Sequence, residues 1–138
     1  MTLYAFTDGA SRGNPGESGI GLLVKDQTGK IVLSLGGYIG EATNNIAEYT
    51  ALLALLKRMK QMRCTKLVIH SDSELMVRQL LGEYRVKDEC LKKYHQKVSR
   101  LLGECPCEFE LKYIPRSENR DADRLANMAI NTRKRIRI

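Results

Sequence analysis

Residues 3–38 read LYAFTDGASRGNPGESGIGLLVKDQTGKIVLSLGGY, and this stretch sets the fold class. It contains three apolar runs, Leu3–Thr7, Gly19–Lys25 and Ile31–Tyr38, each the length of a strand. Gly9, Gly13, Asn14, Pro15 and Gly16 predict an irregular first connection. Asp26-Gln27-Thr28-Gly29 predicts a tight second one, as in an antiparallel hairpin.

Past Tyr38 the apolar period changes from strand-like to helical. Ile46, Ala47, Leu52, Leu53, Leu55, Leu56 and Met59 form a broad stripe on a helix from Asn44 to Met62, capped by Thr43 or Asn44. Lys66–Ser71 is short and apolar, as expected of a strand inside a sheet. A second helix covers about Glu74–Leu81 and stops at Gly82. A third, basic and amphipathic, covers Asp88–Leu102 with Leu91, Tyr94, Val98, Leu101 and Leu102 inward, and Cys105-Pro106-Cys107 breaks it. Glu108–Ile114 alternates as a strand that Pro115 ends, and the last helix runs from Arg120 to Asn131. The order is βββαβααβα. Three antiparallel strands followed by βα units imply an α/β domain with a mixed five-stranded sheet flanked by helices.

The 138 residues fit one domain, residues 1–138, with a basic tail at about 132–138 that is expected to fray. No apolar run approaches the ~18 residues of a membrane span. The N-terminus lacks the basic flank and apolar core of a secretory signal, so the cytoplasm is the default location and no membrane partner is expected. The net charge of +7 suits a polyanionic partner, although basic runs are more often solvated faces. Cys64, Cys90, Cys105 and Cys107 have no Cys-x-x-Cys spacing and no nearby histidine, which argues against zinc. Reduced structural thiols are expected, with a disulfide from Cys105 to a distant cysteine left open.

Four acids sit at the edges of these elements: Asp8 after the first strand, Glu48 early in the first helix, Asp72 after the fourth strand and Asp123 near the start of the last helix. Taken singly, each reads as a turn, cap or solvated residue. If the fold brings them together, their mutual repulsion requires divalent cations. A metal site is therefore the first expectation.

The residues that carry these acids also resemble a known family. Phe6-Thr7-Asp8-Gly9-Ala10-Ser11-Arg12-Gly13-Asn14-Pro15-Gly16 is similar to the opening strand and loop of type 1 ribonuclease H. Thr43-Asn44-Asn45-Ile46-Ala47-Glu48-Tyr49, Ser71-Asp72-Ser73 and Asn119-Arg120-Asp121-Ala122-Asp123-Arg124-Leu125-Ala126-Asn127 resemble its next three blocks, in order, over about residues 3–130. The resemblance implies a ribonuclease H-like fold and an endonuclease that hydrolyses the RNA strand of RNA–DNA hybrids, leaving 5′-phosphate and 3′-hydroxyl ends. It implies that Asp8, Glu48, Asp72 and Asp123 are catalytic and hold two Mg²⁺ ions, with Mn²⁺ as a substitute and Asp8 bridging both. Hard cations favour such oxygen donors. In the last block the acid follows the asparagine by four residues, which selects Asp123; Asp121 is left as an acid favoured by the helix dipole.

For the substrate, the resemblance marks Asn14, Asn44 and Gln79 as minor-groove contacts and Thr43 as a phosphate contact. Gly9, in a glycine-rich loop from Gly9 to Gly16, would let backbone amides approach one strand. Tyr84, Arg85 and Lys87 would grip the DNA backbone. The loop histidine of many members is missing from Tyr113-Ile114-Pro115-Arg116-Ser117-Glu118-Asn119; Arg116 either meets the leaving phosphate or is an exposed loop cation, and His70 and His95 read as structural. The long basic insertion of some bacterial members is also absent, which resembles the compact, archaeal-like branch and predicts weaker substrate affinity with a steep salt dependence. Two alternatives remain: a broader nuclease also cutting double-stranded RNA or RNA–DNA junctions, and a non-catalytic nucleic-acid-binding module. A monomer is the default.

Overall fold

The computed structural model describes residues Met1–Ile138. Its elements are β1 (Thr2–Gly13), β2 (Gly16–Lys25), β3 (Ile31–Ala42), α1 (Asn44–Met59), β4 (Lys66–Ser71), α2 (Glu74–Leu80), α3 (Glu89–Gly103), β5 (Glu108–Tyr113) and α4 (Arg120–Thr132), with a 3₁₀ turn at Arg116–Glu118. The five strands form one sheet in the order β3-β2-β1-β4-β5. The β1–β2 and β2–β3 pairs are antiparallel, and β1–β4 and β4–β5 are parallel. The expected mixed sheet and element order are both present.

Strand alternation assigns the two faces. Leu3, Ala5 and Thr7 lie in register with Leu67, Ile69 and Ser71 and, on the other side, Ala5 and Thr7 with Val24 and Leu22. All are buried, and with Tyr49, Leu52, Leu55 and Leu56 of α1 they form the main core. The opposite face of β2 carries Gly19 and Gly21, and α4 packs there. A Cβ on Gly21 would stand 2.0 Å from the Ala122 carbonyl oxygen, and one on Gly19 2.5 Å from that of Ala126. The glycines therefore admit the α4 backbone where any side chain would hold it off.

Several boundaries differ from the sequence reading. The expected glycine-rich loop Gly9–Gly16 is strand as far as Gly13, and Gly13 pairs with Gly16 across a two-residue turn. Glycine reads as a breaker in sequence, yet a strand tolerates it where a backbone must come close. β3 likewise continues to Ala42, and α1 ends at Met59 rather than Met62. Thr43 is the helix cap, its hydroxyl accepting the Ile46 N–H at 3.2 Å, which makes Asn44 the first helical residue and not the cap. Asp88 caps α3 in the same way.

The tail is docked rather than frayed. The Tyr38 N–H on edge strand β3 donates to the Lys134 carbonyl at 2.8 Å, and Arg58 donates to the Arg137 carbonyl at 2.6 Å. Ile136 fills the space over Gly37, and the Arg135 guanidinium lies 5.1 Å from the Tyr38 ring centre. An edge strand has unpaired backbone donors to offer, and a basic tail can satisfy them while Ile136 covers the groove.

Candidate active site

Asp8 stands on the central strand, in register with Gly21 on β2, so its side chain shares the face on which α4 packs. Gly21 lets α4 approach, and Asp123 directly follows the Ala122 that touches it. The neighbouring Gly9 faces α1: a Cβ there would meet the Ala47 carbonyl carbon at 2.3 Å and the Glu48 nitrogen at 2.4 Å. Two glycines beside one aspartate thus let two helices converge on it from opposite faces. Asp72 arrives from the end of β4, since Ser71 is in register with Thr7.

One carboxylate oxygen from each of Asp8, Glu48 and Asp72 lies within 4.8 Å of the others. Asp8 and Glu48 are buried, and the Gly9 N–H donates to Glu48 Oε1 at 2.8 Å. Asp123, less buried, adjoins Asp8. Asn127 Nδ2 donates to its Oδ1 at 3.2 Å, and Arg116 Nη2 stands 3.8 Å from the same atom. All four acids line one cavity of about 420 Å³ together with Asn44, Ser73 and Arg116. Asp121 instead pairs with Arg124 on the exposed side of the helix.

The electrostatics follow from this crowding. Burial is the largest influence on Asp8, followed by the charges of Glu48 and Asp72, and together they push its carboxyl up to about 10. Burial and then the Asp72 charge hold Glu48 well above the usual range, against the pull of the Gly9 N–H. Both shifts report burial first and crowded negative charge second, which the Arg116 cation offsets only in part at Glu48. An all-oxygen donor set under such repulsion fits a hard divalent cation.

The sign of the pH dependence is fixed by the same shift. The ordinary value for Asp8 is 3.8 and its folded value about 10, so between these the folded chain holds a proton that the unfolded chain releases. Cation-free stability therefore falls as pH rises through this window. The acids would give up those protons on holding a divalent cation, whose charge would then offset their repulsion. Thermal unfolding should show a Mg²⁺ or Mn²⁺ stabilisation that is larger at about pH 8 than at about pH 6, and a chelator should remove it. A cation effect independent of pH contradicts the assignment.

The remaining candidates are divided between two surfaces. Asn14 Oδ1 accepts the Asn44 N–H at 3.1 Å, tying the β1–β2 turn to the start of α1. Asn44 lines the acid cavity, and Thr43 keeps a hydroxyl proton free while its oxygen caps the helix. The Gly9 amide donates to Glu48, and Gly9 itself lines the acid cavity. Gln79 is buried and accepts from the Tyr49 hydroxyl at 2.5 Å. It lines a second cavity of about 570 Å³ with Asn45, Tyr84, Arg85 and Lys87. Arg85 and Lys87 are exposed there and make no ion pair. His70 stacks on Phe6 and bonds the Ala5 carbonyl, and His95 contacts the Gln79 carbonyl; neither reaches the acids.

Three polar residues went unread in sequence. Asn119 is 1% exposed, and its Nδ2 donates to the Thr7 carbonyl at 2.9 Å and reaches Asp72 Oδ2 at 3.4 Å. Its backbone carbonyl accepts the Asp123 N–H at 3.1 Å, so one buried residue, through its side chain and its main chain, links the segments that carry three of the acids. Asn127 steadies Asp123, and Asn45 lines the second cavity. The four-residue spacing from Asn119 to Asp123 was the available signal.

A central strand whose mid-strand aspartate meets acids from two helices and from the end of a parallel strand defines a ribonuclease H-like domain. The reverse transcriptase-like family matches residues 6–129, and the chain belongs to that family, in its compact type 1 ribonuclease H branch. It is 36% identical to ribonuclease HI of Halobacterium salinarum over 129 residues, 94% of this chain and 64% of that protein. The crystal structure of the Halobacterium enzyme has a TM-score of 0.90, covering 96% of this chain and 99% of the solved one. LC11-RNase H1, solved with an RNA/DNA hybrid, is 37% identical with a TM-score of 0.89, covering 95% of this chain and 98% of that one. A bifunctional protein of Mycobacterium tuberculosis is 38% identical over 95% of this chain, which spans 36% of that relative. The chain thus spans less than two thirds of the length of these two curated relatives.

Proposed function

We propose that the chain is a divalent-metal-dependent endoribonuclease that hydrolyses the RNA strand of RNA–DNA hybrids, leaving 5′-phosphate and 3′-hydroxyl ends. The observation that carries this reading is the convergence of Asp8, Glu48 and Asp72 within 4.8 Å, with Asp123 on the same cavity. A module that only bound phosphate would gain nothing from buried negative charge, so the non-catalytic alternative is disfavoured. In this reading the four acids hold two Mg²⁺ ions, whose Lewis acidity would activate water and offset charge on the departing 3′ oxygen.

The chain's own residues supply the rest. Gly9 orients Glu48, Asn119 orients Asp72, and Asn127 orients Asp123, so the acids are held in place before substrate arrives. Arg116 leans over Asp123 at the cavity mouth, where an exposed guanidinium can meet a phosphate and take up charge near the cut. Asn44 borders the acids, with Asn14 bonded to its N–H and Thr43 preceding it, and the three would contact the minor groove and backbone. The second cavity offers Arg85 and Lys87 to phosphates of the DNA strand, beside Tyr84 and the buried amide of Gln79.

Cleavage of matched RNA–DNA hybrid, RNA duplex and DNA duplex tests the substrate. RNA-strand cleavage confined to the hybrid is expected; equal cutting of duplex RNA would broaden the activity, and cutting of DNA would overturn it. Lys87→Ala should weaken hybrid binding uniformly across sequences and reduce the slope of log affinity against log salt by about 1. An unchanged salt slope removes Lys87 from the phosphate contacts.

A further inference from the structure

Three of the four cysteines gather at the end of β4 remote from Asp72. Cys64 precedes β4, while Cys105 and Cys107 lie between α3 and β5. Cys107 Sγ is 3.2 Å from Cys64 Sγ and 3.1 Å from Cys105 Sγ, so it is the sulfur common to both contacts. All three are free and half-buried, whereas Cys90 is exposed on α3. The backbone around them is fixed: the Glu108 N–H donates to the Thr65 carbonyl at 3.0 Å, and the Thr65 N–H to the Met1 carbonyl at 2.7 Å. Cys64 and Cys107 therefore flank the hydrogen bond that opens the β4–β5 ladder.

The separations discriminate between uses of such a cluster. A zinc ion with Zn–S bonds near ~2.3 Å holds its sulfurs about 3.8 Å apart, so these thiols would have to spread. A disulfide of about 2.05 Å requires an approach of roughly 1 Å, within reach of side-chain rotation. The mechanical setting also favours a covalent link. β5 is an edge strand paired only with β4, and of its six residues only Leu111 is buried.

We propose that Cys107 is a reversible oxidation site that forms a disulfide with Cys64, stapling edge strand β5 to β4, with Cys105 as the internal resolving thiol. The oxidant class is a small-molecule disulfide. One protein thiolate attacks it, forming a mixed disulfide and releasing one small thiol. The second protein thiolate then displaces the remaining small thiol, so two protein sulfurs lose two electrons and two protons and one small disulfide becomes two thiols. In the reverse direction the Cys105 thiolate attacks Cys107, a Cys105–Cys107 bond forms, and Cys64 leaves and takes up a proton; two small thiols then reduce the Cys105–Cys107 bond by successive exchange and become one small disulfide. Burial pushes the Cys105 and Cys107 thiols up, which makes the reaction slow at neutral pH and faster in alkali. The site lies the length of β4 from Asp72, about 20 Å away, so its effect is on the stability of β5 rather than on the acids.

The test uses the full chain with Cys90→Ser, equilibrated in oxidised and reduced glutathione and read by peptide mass mapping. The expected product joins the peptides carrying Cys64 and Cys107, with a loss of about 2 Da and reversal by dithiothreitol. Its formation rate should rise with pH, and the oxidised chain should melt at a higher temperature. Cys105→Ser should keep the cross-link but slow its reduction, and Cys107→Ser should abolish every intramolecular disulfide. Four outcomes overturn the proposal: no cross-link in the oxidising buffer, a Cys105–Cys107 bond as the sole product, a Cys64–Cys105 bond in the Cys107→Ser chain, or one zinc per chain retained on the three thiols.

Discussion

Asp8→Asn abolishes cleavage of the RNA strand, by about 10³-fold or more, while the chain stays folded and melts at a higher temperature in chelator. Both halves of this result come from one cause. Asp8 is buried beside Glu48, Asp72 and Asp123, and its carboxyl is pushed up to about 10, first by burial and then by those charges. Replacing it with a neutral amide of the same shape removes the repulsion and the cost of ionising a buried group. It also removes one of the three carboxylates placed to hold a cation. Single-turnover cleavage with Mg²⁺, circular dichroism and a thermal melt in chelator together check it. A folded variant retaining cleavage within about tenfold would contradict the assignment, and a drop in cation-free melting temperature would contradict the electrostatic account. Asp72→Asn should lose cleavage in the same way, with its fold retained.

Gly21→Ala is the second large effect, and it acts on the fold. The added Cβ would lie 2.0 Å from the Ala122 carbonyl oxygen, which belongs to the α4 backbone and cannot rotate aside. The helix has to move away from the sheet, and overpacking of this kind costs about 1–3 kcal/mol, here at the upper end. Because Asp123 follows Ala122, the displacement carries one acid away from Asp8. Urea unfolding should show a lowered midpoint at unchanged slope, and residual cleavage should require more Mg²⁺ than the native chain. A destabilisation below about 0.5 kcal/mol would mean that α4 is not seated on this glycine.

These two residues also mark the limits of the sequence as a guide. Asp8 could be read because the four blocks around Asp8, Glu48, Asp72 and Asp123 keep the order of the family, although the strand that carries Asp8 runs on to Gly13 rather than ending before it. The strand order was legible for the same reason, since period and turn chemistry are local. The roles of Gly9 and Gly21 were not legible, because a glycine shows neither in a strand nor in a turn which backbone comes close to it. Gly9 was assigned to a loop for that reason, whereas it is the point at which α1 closes on β1 and its amide holds Glu48. Glu48 taken alone looked like a solvated helical acid; only packing against Gly9 buries it. The docking of the tail on Tyr38 and Gly37 joins segments about a hundred residues apart and leaves no local trace. The gathering of Cys64 with Cys105 and Cys107 was hidden in the same way, by the parallel pairing of β4 with β5.

The central claim is that the converging acids cut RNA with divalent cations, and one assay tests it most directly. An RNA–DNA hybrid labelled at the 5′ end of its RNA strand is incubated with the purified chain in Mg²⁺, then in excess chelator, then with Mg²⁺ restored. Internal cleavage of the RNA that stops with chelator, returns with Mg²⁺ and leaves ligatable 5′-phosphate and 3′-hydroxyl ends is the result predicted. An intact hybrid in Mg²⁺ and in Mn²⁺, or cleavage that persists in chelator, would contradict it.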